Sequence, residues 1–229
     1  MLADPSIFLR IEHLNKTVQS GDNKITILRD INLTIKTGES VAIIGASGSG
    51  KTTLLTLLAG LDLPTTGDIY FQGQYLNQLD EEQRTLLRAM HIGFIFQSFQ
   101  LLPTLTALEN VMLALEIQYI RHVQAKKTAE FWLNQVGLSK RLNHYPAKLS
   151  GGEQQRVAIA RAFVNNPHII LADEMTGNLD TETGKAVGDI LFSLNKQQNT
   201  TLVLVTHDDQ LAMRCQRQLL LLDGILQPC

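Results

Sequence analysis

The residues IILADEMTGNLD (169–180) end an apolar run in two adjacent carboxylates, Asp173 and Glu174. Two like charges side by side repel, and one tends to hold a proton unless a cation or a proton-transfer task compensates. One chemistry that fits is a metal held through the first carboxylate and a water deprotonated by the second. A solvated turn, with both acids facing water, is the plain alternative for an isolated Asp-Glu pair.

A second stretch weighs against the plain reading. GASGSGKT (45–52) fits G-x-x-x-x-G-K-[ST] and lies between a continuously apolar run, VAIIG (41–45), and LLTLLAGL (54–61), where Leu54, Leu57, Leu58 and Leu61 recur at helical spacing. Glycines in such a loop let successive backbone N–H groups turn inward on a phosphate chain, and the following helix N-terminus adds a favourable field. Gly45, Ala46, Ser47, Gly48, Ser49 and Gly50 are therefore candidate nucleotide-binding residues. Lys51 is the group to reach the β- and γ-phosphates, Thr52 a magnesium ligand and Thr53 a further phosphate contact. With a triphosphate site in the chain, Asp173 reads as the carboxylate that holds the magnesium water shell. Glu174 is left to orient and deprotonate the attacking water.

KLSGGEQQR (148–156) is the third stretch. Ser150 and Glu153 have capping-box spacing, so a bare helix start accounts for the serine. Gly151 and Gly152 cost backbone entropy there, and make sense if another surface approaches the helix's positive end closely. A phosphate held by a second copy of the protein is such a surface.

The elements that must hold these groups are legible around them. Ile7, Leu9 and Ile11 alternate with polar neighbours, as do Ile25, Ile27, Ile31, Leu33 and Ile35, so an antiparallel layer opens the chain. From Thr106 to about Tyr145 the pattern turns helical, with Thr106 and Glu109 at capping-box spacing and Val111, Leu115 and Trp132 in helical segments. With the helix that follows, this gives an inserted helical subdomain over about 106–165. Helix 151–164, strand 168–173, helix 181–196, strand 201–206, helix 208–215 and strand 217–222 then alternate, which argues a parallel sheet covered by helices.

At 229 residues the chain suffices for one large α/β domain whose core needs neither disulfide nor metal. A net charge of −2 without a long Lys/Arg run gives no nucleic-acid footprint, and RHVQAKK (121–127) reads as a solvated helix face. Cys215 and Cys229 are a poor basis for a disulfide framework and point to a reducing compartment, the cytoplasm by default. The start, MLADPSIFLRIE, lacks the pattern of a leader. No stretch reaches the roughly 18 uninterrupted apolar residues of a membrane span, so the chain is expected not to cross a membrane by itself.

LSGGEQQ (149–155) resembles the signature of ATP-binding cassette (ABC) ATPases, and the likeness covers essentially the whole chain. It implies a single α/β domain over 1–229: a P-loop NTPase core with a mainly parallel sheet, an N-terminal antiparallel β subdomain and an inserted α-helical subdomain. Gln97 in FIFQSF resembles the Q-loop glutamine, which approaches magnesium and couples the site to a membrane partner. His207 in LVTHD resembles the switch histidine on the γ-phosphate, and GNLD (177–180), with Asp180, the D-loop that lines the interface between two copies. The resemblance implies ATP and Mg2+ as cofactors, with Thr52, Gln97 and Asp173 around the metal and Glu174, His207 and Lys51 in catalysis. It also implies a head-to-tail dimer in which Ser150, Gly151 and Gly152 of one copy close the nucleotide site of the other. Hydrolysis then opens the dimer and moves a partner.

Two positions depart from the family pattern. Val18 in NKTVQSG stands where many ABC ATPases stack an aromatic ring on adenine, which implies loose base selectivity. Met175 follows Glu174 where proline is usual, freeing the backbone locally without removing a charged group.

Within the family, GASGSGKTTLL, HIGFIFQSFQLLPTLTALENV and ADEMTGNLD resemble the branch of the lipoprotein-release ATPase LolD and the macrolide-exporter ATPase MacB. NKTVQSGDNKITIL, LDEEQRTLLRAMHIGFIFQSF and LFSLNKQQNTTLVLVTHDDQLAMRCQR resemble YbbA-type proteins. That likeness implies an ATPase subunit peripheral on the inner face of the bacterial inner membrane. It would drive an integral membrane permease of LolC/MacB/YbbP type, with extrusion of lipids or hydrophobic compounds as the task. A division-type regulator that pulls on a membrane partner without transport has the same ATPase half. ABC heads that act on nucleic acid usually carry long coiled coils or two heads per chain, and neither pattern is present here. The cargo meets the permease, so no residue of this chain specifies it.

Overall fold

The computed structural model of the protein describes residues 6–21 and 23–229. The leader expectation rests partly on residues 1–5, which lie outside the described residues. In chain order the elements are β1 (Ile7–Ser20), β2 (Asn23–Lys36), β3 (Ser40–Ile44), α1 (Lys51–Leu58), β4 (Thr66–Phe71), β5 (Gln74–Tyr75) and α2 (Glu81–His91). They continue with β6 (Ile92–Ile95), α3 (Ala107–Glu116), α4 (His122–Gln135), α5 (Gly151–Phe163), β7 (Ile169–Asp173) and α6 (Thr181–Gln198). The chain closes with β8 (Thr201–Thr206), α7 (Asp209–Ala212), β9 (Arg217–Leu222) and β10 (Ile225–Pro228). These fall into two compact units, one of residues up to Arg88 with Thr201–Cys229, the other Ala89–Thr200.

The first unit holds two sheets. In the antiparallel one, β1 lies between β2 and β4, and β5 extends it beyond β4. The alternation expected for β2 holds at Ile31, Leu33 and Ile35, all buried, but not at Ile25, 50% exposed, or Ile27, half-buried. Leu28, on the opposite phase, is buried instead, because the strand shifts register around the left-handed Asp30, φ 47. The other runs β10, β9, β3, β8, with β3 parallel to both of its neighbours and β10 antiparallel at the edge. Val41, Ala42 and Ile43 of β3 and Leu202 to Val205 of β8 are buried, as continuous apolar runs covered on both faces must be. β3 delivers the glycine loop directly into α1. That helix stops at Leu58, earlier than the leucine spacing implies. Gly60 takes φ 63, and Leu61 N–H donates to the Thr56 carbonyl at 3.0 Å, closing the helix end and leaving Leu61 48% exposed.

The second unit contains the parallel pair β6 and β7, in register from Ile92↔Ile169 to Ile95↔Ala172. Thr106 and Glu109 form the expected capping box at the start of α3. Tyr119, at φ 60, separates α3 from α4. After Gln135 the chain runs through turns and a short 3-10 segment at Pro146–Lys148, so 136–145 is less helical than its composition suggests. Trp132 of α4 stacks on Phe163 of α5 with ring centroids 5.6 Å apart, and Val111 and Leu115 of α3 are buried. Within RHVQAKK only Ala125 is buried, as a solvated helix face requires.

Three further differences have local causes. The expected helix over 208–215 is only the four residues of α7, because bonding tightens to i−3 at Arg214 and Cys215. The region 62–105 yields β4, β5, α2 and β6, which periodicity does not reveal: α2 buries only Leu87 among its eleven residues. β10 is an exposed edge strand with a weak apolar pattern.

Candidate functional site

In the first unit, Gly50 caps α1 with φ 103, a conformation open to glycine. Its backbone turn brings Lys51, Thr52 and Thr53 into the first helical turn. Lys51 is only 5% exposed, and its Nζ donates to the carbonyls of Gly45 and Ala46 at 2.9 Å each. A buried cation held by carbonyl dipoles is a receptor for an anion, since counter-charge offsets the cost of desolvation better than dipoles alone. Ser49 Oγ is buried with no hydrogen-bond partner in the protein, a second polar group turned to the loop interior. The parallel register Ile44↔Thr206 makes Gly45 and His207 leave the sheet at the same edge. His207 is exposed there.

A cleft of about 570 Å³ adjoins the glycine loop, lined by Ile25, Ile27, Arg29, Ser47, Ser49 and Asp223 among others. Val18 is half-buried on β1 opposite Ile25 and does not line it. The apolar wall beside the loop is thus made by Ile25 and Ile27, which alternation in the sequence marks only as strand residues. Nothing in the one-dimensional pattern assigns them to the site, because the strand's pairing decides which side chains reach the loop.

In the second unit, the parallel register of β6 and β7 sends Gln97 and the Asp173-Glu174 pair out at one edge. Glu174 has φ 42, so the strand ends between the two carboxylates in a left-handed residue, the kind of sparsely populated conformation that concentrates at functional sites. Met175 is buried at 1% exposure. It fills apolar space where proline is usual, and the turn is held by Gly177 N–H on the Glu174 carbonyl at 2.9 Å.

Ser150 and Glu153 make a reciprocal capping box at the start of α5. The Ser150 N–H and the Arg141 guanidinium, whose Nε lies 2.9 Å from Glu153 Oε1, hold the Glu153 carboxyl below its usual range. Gly152 is buried, and a Cβ there would overlap Thr183 Cγ2, so packing against α6 of the same chain also requires glycine at this position. Gly151 is partly exposed beside Leu179, and Ser150 is exposed. Asp180 caps α6, accepting from Thr183 N–H at 2.9 Å, which lowers its pKa. A helix-capping role is therefore visible for the residue that the sequence pattern assigns to an interface loop.

Among the described residues no cluster of three or more His, Cys, Asp and Glu side chains could hold a metal. The donors implicated by the sequence are a hydroxyl (Thr52), a carboxylate (Asp173) and a carboxamide (Gln97). These hard oxygens suit magnesium, which is usually bound through one or two carboxylates with phosphate and water completing its shell.

Comparison with known proteins bears on the whole chain. A family model described as ABC transporter matches residues 28–177. The ABC transporter ATP-binding protein YbbA of Escherichia coli (strain K12) is 52% identical over 219 residues, 96% of this chain and 96% of that protein. The lipoprotein-releasing system ATP-binding protein LolD of Idiomarina loihiensis is 46% identical over 218 residues, 95% of this chain and 96% of that protein. Among solved structures, a dimeric post-hydrolysis state of the ATP-binding cassette MJ0796 bound to ADP and Pi has a TM-score of 0.89 and 43% identity, covering 96% of this chain and 98% of that one. With a glycine loop, a buried lysine and an α/β frame that match this likeness, the chain belongs to the ABC transporter family and is an ATPase subunit of it.

Proposed function

We propose that the chain is one half of an ATP-driven motor: two copies meet head to tail around ATP and drive a separate membrane permease of LolC/MacB/YbbP type. The observation that carries this reading is the full-length likeness to a cassette whose solved structure is a dimer bound to ADP and Pi. The whole of 1–229 then acts as one nucleotide-binding domain, with the helices of about 106–165 as its inserted subdomain. No helix among the described residues is long and apolar enough to cross a membrane. Membrane work therefore calls for a partner, and the subunit sits peripherally at the inner face of the bacterial inner membrane.

The residue roles follow from charge and chemistry. Lys51 exchanges its two carbonyl partners for the β- and γ-phosphate oxygens, with Gly45 to Gly50, Thr52 and Thr53 around the chain of phosphates. Thr52, Asp173 and Gln97 supply oxygens to magnesium, which when bound neutralises phosphate charge. Glu174 accepts the proton of the attacking water, and His207 contacts the γ-phosphate. Ser150, Gly151 and Gly152 present the positive end of α5 to the nucleotide of the other copy, with Gly152 also packed against Thr183 from within.

The name of the LolD relative, a lipoprotein-releasing system protein, supports a lipidated or hydrophobic cargo handled by the permease. The test is to isolate tagged Glu174→Gln with ATP from gently solubilised membranes of the native cells. A stoichiometric multi-span membrane protein is expected. Recovery of soluble or nucleic-acid partners alone would overturn the transport reading while leaving the ATPase assignment intact.

A further inference from the structure

The turn that follows Glu174 is tied to the segment that follows Gln97. Asn178 Nδ2 donates to the Gln97 carbonyl at 3.0 Å. One residue earlier, a Cβ on Gly177 would lie 3.0 Å from Gln97 Nε2 and 3.3 Å from the Glu174 carbonyl, so the glutamine side chain rests on that glycine. Beyond Gln97, Phe99 and Gln100 are both left-handed, at φ 60 and 51. Their carbonyls accept from the guanidinium of Arg161 on α5, at 2.8 and 2.6 Å. Burial pushes the Arg161 pKa down, yet the cation is directed at two carbonyls of this one segment. Three non-glycine residues in a costly conformation persist only where their surroundings over-determine them, and these contacts do so.

We propose that Asn178 is a positioning residue: its carboxamide locks the turn carrying Glu174 to the backbone of Gln97, while Arg161 fixes the far end of the same segment. The two groups then take up their working arrangement together. This rests on the assignment of Glu174 and Gln97 given above. Asn178 is not assigned any contact with the reacting atoms and acts through its neighbours. Aspartate has nearly the same shape, but it lacks the N–H donor and would set a charged acceptor against a carbonyl.

The experiment uses the purified full-length chain. For Asn178→Asp, kcat is expected to fall about tenfold, as small misplacements of reacting groups do, while the ATP dissociation constant stays within about twofold of the parent. In a Gln97→Ala background, which keeps the backbone carbonyl held by Asn178 but removes the side chain that this bond positions, the same substitution should cost less than in the parent; a merely structural loss would add independently. Asn178→Ala, which adds no charge, should reproduce the loss. Parent-like hydrolysis by either Asn178 variant, or equal losses in both backgrounds, overturns the proposal. Glu174→Gln in the same assay separates the two levels. If it hydrolyses ATP normally, the base assignment falls and the proposal with it; if it is inactive while Asn178→Asp is normal, only the positioning role falls.

Discussion

Glu174 and Lys51 face opposite physical problems. The lysine is a buried cation whose partners are carbonyl dipoles; the glutamate is a half-buried anion on a left-handed backbone. Glu174→Gln keeps size and hydrogen-bonding shape but cannot accept the proton. ATP binding should persist while hydrolysis falls by at least about 100-fold, the lower end of general-base effects. Turnover near the parent value would remove Glu174 as the base. Base selectivity is also a residue-level matter. A base seated in the cleft beside the glycine loop would meet the aliphatic side chains of Ile25 and Ile27 in place of an aromatic ring, and apolar contact does not distinguish adenine from guanine. ATP and GTP should compete with similar strength in equilibrium binding. A strong preference for ATP would show that polar groups, rather than this wall, read the base.

Helix ends carry much of the electrostatics at the next scale. Glu109 and Glu153 close capping boxes, Asp180 caps α6, and Glu81 pairs with Arg84 and Arg88. All four carboxyls lie below their ordinary values of 4.5 for glutamate and 3.8 for aspartate, Glu81 at about 2. A folded-state pKa beneath the unfolded one contributes stability that is full above the unfolded value and is lost as pH falls through the folded one. Thermal stability should therefore hold to about pH 5 and decline between pH 4.5 and 2. An unchanged melting temperature at pH 3 would contradict that. The contact of α5 with α6 makes a separate prediction. Gly152→Ala places a methyl against Thr183 Cγ2 and should cost about 1–3 kcal/mol in denaturant unfolding, as overpacking does. Thr183→Ser, which removes that methyl, should recover most of the loss; no recovery would locate the strain elsewhere.

For the whole molecule the decisive property is association. Glu174→Gln with ATP should elute as a dimer and return to a smaller species on exchange to ADP, because the nucleotide's γ-phosphate forms part of the contact in the proposed arrangement. A dimer that ignores nucleotide would place the interface elsewhere, and a monomer in saturating ATP would remove the sandwich. The affinity of such a dimer is a surplus over the loss of translational and rotational freedom, so the experiment should be run over a range of protein concentrations.

Short, contiguous stretches are legible in the sequence because their chemistry is local. GASGSGKT, LSGGEQQ and the Asp173-Glu174 pair each fit a backbone geometry set by neighbouring residues, and β3, β8 and α3 follow from apolar runs and a capping box. The sequence by itself thus determined the phosphate loop, the parallel strands that present it and the family. Tertiary structure decided what depends on approach from elsewhere in the chain. Thr183 packs on Gly152 and leaves no room for a Cβ, Ile25 and Ile27 reach the loop because of how β2 is placed, and Asn178 holds Gln97 from 81 residues away. No periodicity encodes such pairs, since they arise only when the folded backbone brings separate segments within a hydrogen bond or a methyl group of each other.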